Sequence, residues 1–182
     1  MIDPRLIPIE AYVRQQAGLS ALKAQLEAPS ALFSRRTLPG HITASGLLLT
    51  PDHREVLLIH HRGLDKWLQP GGHVDEDDAA VWQTARREIG EETGITKLTL
   101  HPWHAEHAYQ PIDIDTHAIP ARPEKGEGEH WHHDCLYVFV AAKSPITPQA
   151  EEVSGACWCA IDDARVQGRL RRVLSLFSKE HA

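Results

Sequence analysis

The stretch from Gly71 to Ile95 constrains this chain more than any other. Two adjacent glycines, Gly71 and Gly72, lead into the acidic run Asp75-Glu76-Asp77-Asp78, then into residues Ala79 to Thr93, which read as a helix, and then Gly94. Asp77 or Asp78 can cap that helix at its start, and Gly94 can take the left-handed conformation just past its end. At about 100° per residue, Glu88 and Glu92 lie one turn apart on nearly one line, with Glu91 one turn from Glu88 on the adjacent line. Val81, Trp82, Ala85 and Ile89 form a separate apolar stripe bordering that line. The spacing predicts an acidic edge where a packed face meets the surface, at the wall of a cleft. Like charges so placed repel by roughly 0.2–0.5 kcal/mol per pair, and a divalent cation reverses the sign. A solvated helix face is the ordinary reading of such a charge run. The glycines on both sides set this one apart.

Composition narrows the partner. The 182 residues include 19 Lys and Arg against 25 Asp and Glu, a formal net charge of -6. That balance argues against a basic face for nucleic acid, and no nucleic acid partner is expected. A hard cation such as Mg²⁺, held by a few carboxylates, attracts substrate phosphates where bulk charge does not. The longest apolar stretch, Leu136 to Ala142, is far short of the roughly 18–20 residues that cross a bilayer, so no membrane span is expected. The start, Met1-Ile2-Asp3-Pro4-Arg5, has neither a basic segment before an apolar core nor an Arg-rich transit composition, so a cytoplasmic location is expected. Cys135, Cys157 and Cys159 read as reduced core thiols, since Cys157-x-Cys159 lacks the spacer of a redox or zinc pair.

Residues Ile9 to Leu26 read as one or two short helices broken near Gly18-Leu19-Ser20, an N-terminal helical extension spanning residues 1–35. After Pro29 and the turn Leu38-Pro39-Gly40, the runs Ile42 to Leu49 and Glu55 to His61 read as a hairpin across Thr50-Pro51-Asp52-His53. Arg62 to Asp78 reads as a loop, Leu98 to Leu100 as a short strand, and Ala105 to Ile119 as ambiguous with an extended core. Pro120 to Glu129 reads as a polar loop, while His133 to Ala142 and Ala156 to Ile161 read as strands. Asp162 can cap a last helix reaching about Lys179, with Val166, Leu170, Val173, Leu174 and Phe177 on one side. This order predicts an α+β chain: an α/β/α sandwich around a mixed sheet, occupying residues 36–182.

The segment Gly72 to Ile95 resembles the signature of the Nudix hydrolases, G-x5-E-x7-R-E-U-x-E-E-x-G-U, where U is bulky and aliphatic. Arg87-Glu88-Ile89-Gly90-Glu91-Glu92-Thr93-Gly94-Ile95 matches every defined position of its second half. In the first half Asp78 stands where the family has Glu, and eight residues instead of seven separate it from Arg87. The resemblance implies a loop–helix–loop on an α/β/α sandwich and a Mg²⁺ or Mn²⁺ cofactor. It also implies water attack on a phosphorus of a nucleoside diphosphate linked to another group, a small-molecule nucleotide substrate. Glu88 and Glu92 are then the expected metal ligands, and Glu91 is a third ligand or the base that takes the water's proton. Arg87 orients these carboxylates, its two-pronged guanidinium suiting that task. Gly71 and Gly72 let the backbone approach metal or phosphate, and a carbonyl there, with Gly72 preferred, completes the coordination. A further carboxylate from outside the helix often serves in this family. Glu152 is favoured over Asp113, Asp115 and Asp134.

Thirteen histidines are many for this length, and seven (His101, His104, His107, His117, His130, His132, His133) share one stretch. His130-x-His132-x-Asp134 and Asp113-x-Asp115-x-His117 both alternate with period two, so each set points to one face of a strand. If the two segments pair, a His and Asp cluster lines one side of the sheet, able to bind a transition metal or to hydrogen-bond a polar substrate. Substrate contact by His130, His132 and Asp134 is the preferred expectation, and hydrogen-bonded histidines on a half-exposed strand are the plain alternative. Trp67 and Trp131 can stack a nucleobase, although packing is the commoner use of a lone Trp.

Two other functions fit the same fold. A Nudix-fold module that binds a nucleotide without cleaving it predicts missing box carboxylates, and Glu88, Glu91 and Glu92 are all present. An isoprenoid diphosphate isomerase shares the fold and uses metal-bound His and Glu with a Cys. The intact box speaks against it and the histidines for it. The N-terminal helices have two candidate roles, a cover over the pocket or a homodimer contact.

Overall fold

The computed structural model describes residues 3–28, 31–123, 126–148 and 151–177. One mixed sheet of eight strands forms its centre. Strand β1 (Gly40–Leu49) is buried at every residue. Burial along the whole length marks a strand covered on both faces. It pairs in parallel with β7 (His130–Val140) along its whole length, from Gly40 opposite Trp131 to Leu49 opposite Val140. On its other side it meets β4 (Gly71–His73) and, through the expected hairpin, β2 (Glu55–His61). Strands β3 (Lys66–Leu68) and β8 (Val153–Ala160) extend the sheet beyond β2, and β5 (Thr99–Leu100) and β6 (Asp113–Ile119) extend it beyond β7.

Each face carries helices, which makes the architecture the α+β sandwich anticipated. On one side α1 (Ile7–Arg14), α2 (Ser20–Leu26) and α3 (Val81–Thr93) bury Ile9, Val13, Leu22, Val81, Ala85 and Ile89 against Ile42, Ala44, Leu48 and Tyr137. On the other side α5 (Gly168–Phe177) buries Leu170, Val173, Leu174 and Phe177 against Leu47, Leu49, Leu136 and Val138. The N-terminal helices therefore share the core of the sheet. Gln25 ties α2 to two strands, its amide donating to the Gly40 carbonyl at 2.8 Å while its oxygen meets His133 Nε2 at 2.9 Å.

Several local expectations change. The segment 62–78 is not a plain loop, because β3 and β4 form within it where β2 and β1 offer unpaired edges. Neither Asp77 nor Asp78 caps α3. Ala80 holds the cap position without a side-chain bond, and Asp78 is turned to other partners. The ambiguous 105–119 resolves into the end of α4 (Pro102–Glu106) and strand β6. Asp162 does not start the last helix. α5 begins at Gly168, after a turn in which Asp163 accepts from the amide and guanidinium of Arg165. Pro29 and the expected helix end near Lys179 lie outside the described residues. As expected, Gly94 ends α3 with φ of 75°. All three cysteines are free. No helix among the described residues is long and apolar enough to cross a membrane.

Helix α3 approaches the sheet closely at Gly46, where an added Cβ would lie 2.4 Å from Ile89 Cδ1 and 3.3 Å from the Ala85 carbonyl. Ile89 is fully buried and has no room to retreat. Gly46→Ala is expected to destabilise the protein by about 1–3 kcal/mol through overpacking, read as a lower denaturant midpoint at unchanged slope.

Candidate active site

Strand β4 and helix α3 bring the glycines and the glutamates together. A Cβ on Gly72 would stand 2.4 Å from Glu88 Oε1, so the glycine leaves the space that the carboxylate fills. The Gly71 amide donates to Glu92 Oε2 at 2.9 Å. Arg87 is the centre of the polar network. One arm, Nη1, donates to Glu88 Oε1 at 2.9 Å and to Glu91 Oε2 at 3.0 Å, and the other, Nη2, donates to the His73 carbonyl at 2.8 Å and to Asp78 Oδ2 at 3.1 Å. Asp78 also accepts from the Asp75 amide and the Thr84 hydroxyl. Despite the changed spacing, Asp78 thus anchors Arg87. Burial opposes ionisation of Asp78, but these bonds outweigh it and hold its carboxyl below the usual range.

The glutamates behave in the opposite way. Burial is the main influence raising Glu92 to about 8, with Glu88, Glu152 and Glu91 adding repulsion against the relief from the Gly71 amide. Burial likewise lifts Glu88 to about 7 against the attraction of Arg87. Glu92 is 2% exposed, whereas the Glu91 side chain is half exposed. Glu152, on the loop before β8, lies near enough for its charge to act on both Glu88 and Glu92. An oxygen-only set of crowded carboxylates beside a glycine backbone fits a hard divalent cation.

The remaining residues singled out from sequence lie elsewhere. Trp67 is flanked by the Arg165 guanidinium and the His60 ring, each at 5.1 Å. Trp131 is exposed on β7. Asp134 is buried and accepts from Arg169 at 2.6 Å, from Ser45 at 2.6 Å and from Thr43 at 3.2 Å. Asp113 is bonded by Arg169 and Arg172, and Asp115 by His117.

The two alternating segments do pair, with Asp115 opposite Asp134 and His117 opposite His132. The histidines then divide. His104 accepts from the Val138 amide and bonds the Gln110 carbonyl, and His133 lies between Gln25 and Thr116, so both are satisfied groups of the interior. His101 packs on Phe177, and His107 stacks on Trp103. His117, His130 and His132 share a face with two residues that sequence reasoning missed. His41 of β1 is paired opposite His132, and His73 of β4 has its ring 5.1 Å from that of His41 and 5.2 Å from that of His132. Burial, reinforced by their neighbours, lowers His41 to about 4, His132 to about 2, and His73 below its ordinary value. The only local hint was His73's place directly after the glycine pair.

The NUDIX domain model matches residues 40–177. The chain belongs to this family. Among solved structures it is similar to a NUDIX-family hydrolase from Clostridium perfringens, with 19% identity and a TM-score of 0.53 over 75% of this chain and 97% of that one. It is also similar to an Ap4A hydrolase from C. elegans, with 23% identity and a TM-score of 0.51 over 75% and 94% of the two chains. The NUDIX domain of Shewanella oneidensis NrtR, solved with ADP ribose, gives 19% identity and a TM-score of 0.51 over 88% and 98%. At these identities the likeness is one of fold. Among curated proteins, none matches the sequence.

Glu88 and Glu92 bind protons more tightly folded than unfolded, from an ordinary value of 4.5. Their contribution favours the fold fully below that value and is lost as pH rises to about 7 for Glu88 and about 8 for Glu92. In chelator-treated protein the melting temperature should therefore fall across this window, by an amount on the order of a few kcal/mol of stability. Glu92→Gln should flatten the fall in a pH series of thermal melts.

Proposed function

We propose that this protein is a Mg²⁺- or Mn²⁺-dependent hydrolase of the pyrophosphate linkage in a nucleoside diphosphate joined to another group. The observation that carries the reading is the pair of buried glutamates, Glu88 and Glu92, set against Gly71 and Gly72 with Arg87 as their cationic neighbour. Glu88 and Glu92, with the Gly72 carbonyl and Glu152, are the groups that hold the cation in this reading. When bound, a divalent cation supplies charge neutralisation for the diphosphate and lowers the pKa of a bound water. Arg87 keeps Glu88 and Glu91 in place. Glu91, half exposed, serves as a third ligand or takes the proton of the attacking water. The water oxygen joins phosphorus, the bridging P–O bond breaks, and the leaving phosphate carries the electron pair.

The substrate side is proposed to be the histidine face of the sheet, with His130 toward the ligand. Asp134 shares that face and is bonded by Arg169, whereas Trp67 is held by Arg165 on β3. The named activities of similar structures, such as Ap4A hydrolysis, place dinucleoside polyphosphates among the substrates to try. The isomerase alternative needs a reactive thiol. Burial pushes Cys135 far up and Cys159 to about 11, and Cys157 accepts from Arg165 at 3.0 Å.

The test is a panel of ADP-ribose, dinucleoside polyphosphates, NADH and nucleoside triphosphates with Mg²⁺ or Mn²⁺, followed by release of monophosphate, phosphate or pyrophosphate. Turnover of at least one is expected, and Glu92→Gln should lower kcat by roughly a hundredfold or more, about 2.7 kcal/mol of barrier. Full activity in that variant would overturn the metal assignment. Tight nucleotide binding with no turnover would replace the enzyme with a binding module.

Gly72→Ala separates site from scaffold. The added methyl meets the end of the flexible Glu88 side chain, so stability should change by less than ~1 kcal/mol. Mn²⁺ affinity in a calorimetric titration should nonetheless drop, because the carboxylate is displaced.

A further inference from the structure

The strongest unexplained feature lies on the other side of β4 from the glutamates. Gly72 faces Glu88, and its neighbour His73 faces His41 and His132. One ring nitrogen from each of His41, His73 and His132 can be chosen so that all three lie within 4.8 Å of one another. His41 is 1% exposed, and neither of its ring nitrogens has a hydrogen-bond partner. The Thr37 backbone acts on this ring but leaves both nitrogens unsatisfied. Burying a polar group without a partner costs roughly 1–3 kcal/mol, and such groups in folded proteins ordinarily signal a missing water, ion or ligand.

We propose that His41, His73 and His132 form a second metal site, separate from the glutamate site and selective for a borderline transition-metal dication such as Zn²⁺. Three imidazoles suit zinc and its neighbours, whereas Mg²⁺ demands oxygen. In a tetrahedral zinc site, bond lengths of 2.0–2.1 Å put ligand nitrogens about 3.3 Å apart. The triad therefore has to close by about 1.5 Å at most to hold the ion. His130 stands beside it, stacked on His41 with ring centroids 5.0 Å apart. Its Nδ1 donates to the Gly128 carbonyl at 2.8 Å, which makes Nε2 an acceptor, hydrogen-bonded at 3.3 Å to His132 Nε2. A carbonyl that fixes the tautomer in this way is the usual companion of a metal-site imidazole. His130 is thus placed to bond a water in the fourth position. The nearby charged side chains, Arg35 and Glu127, neutralise each other at 2.7 Å. Asp134, on the same face, is already bonded by Arg169, Thr43 and Ser45 and is not a ligand.

The site is linked to the glutamates through the backbone. Arg87 donates to the carbonyl of His73 itself, so an ion on the imidazole would steady the strand segment that Arg87 grips.

The experiment uses full-length protein purified without a histidine tag, stripped with chelator and equilibrated with equimolar Zn²⁺ in excess Mg²⁺. Elemental analysis after desalting should find one zinc per chain in the wild type and in Glu92→Gln. Affinity in a chelator competition should fall roughly tenfold or more in His41→Gln, His73→Gln and His132→Gln. Absence of zinc from the wild type, zinc undiminished in all three histidine variants, or zinc lost in Glu92→Gln would overturn the proposal. Co²⁺ bound to the unmodified protein gives a readout independent of how the variants fold. Intense visible bands of a four-coordinate nitrogen site are expected, and the pale spectrum of a six-coordinate ion would overturn the assignment.

Discussion

The parallel pairing of β1 with β7 is the constraint from which both polar centres follow. Its register sets His41 opposite His132 and Thr43 opposite Asp134 on one face, while Ala44 and Leu48 on the other receive α3. Because β1 also pairs with β4, the strand carrying Gly71, Gly72 and His73 is held between the helix and the histidines. A slip by one residue would exchange the faces of β1 or β4 and separate His41 or His73 from the histidine face. The interlocking of Gly46 with Ile89 blocks such a slip, since almost any side chain at that position would collide with the buried helix.

Within that frame, Arg87 reconciles demands that conflict. Three glutamates on one edge of a helix repel one another, and burial makes Glu88 and Glu92 resist ionisation. A single guanidinium relieves Glu88 and Glu91 directly and secures itself through Asp78 and the His73 carbonyl. Among the described residues Glu92 receives the Gly71 amide alone, and it is pushed further up than Glu88, to about 8. The acidity of the chain is therefore not spread evenly. Part of it is concentrated where a cation, and through it a phosphate, has reason to bind.

Much of the fold was legible because its signals are local. The hairpin strands, α3 and its stop at Gly94, β7 and the buried stripe of α5 follow from periodicity and from glycine conformations. The failures are also physical. β3 and β4 are three residues each and carry almost no pattern of their own, so their existence depends on the edges of β2 and β1. Asp78 looked like a cap because cap preference is judged from adjacent residues, and its carboxylate was instead drawn to Arg87, nine residues on. The alternation of Asp134 with histidines is legible in the sequence, but its bond from Arg169 of the last helix, 35 residues on, is not.

By itself, the sequence determined the chemistry of one centre: three glutamates and an arginine on a single helix, with glycines before and after. Those groups are brought together by the helical repeat, which needs no knowledge of the rest of the chain. Only the tertiary structure decided the second centre, and with it the placement of Glu152 and the fate of Asp134. His41, His73 and His132 come from three strands widely separated in the chain, and nothing in the spacing of their residues relates them. Strand register relates them, and register is a property of the whole packed sheet.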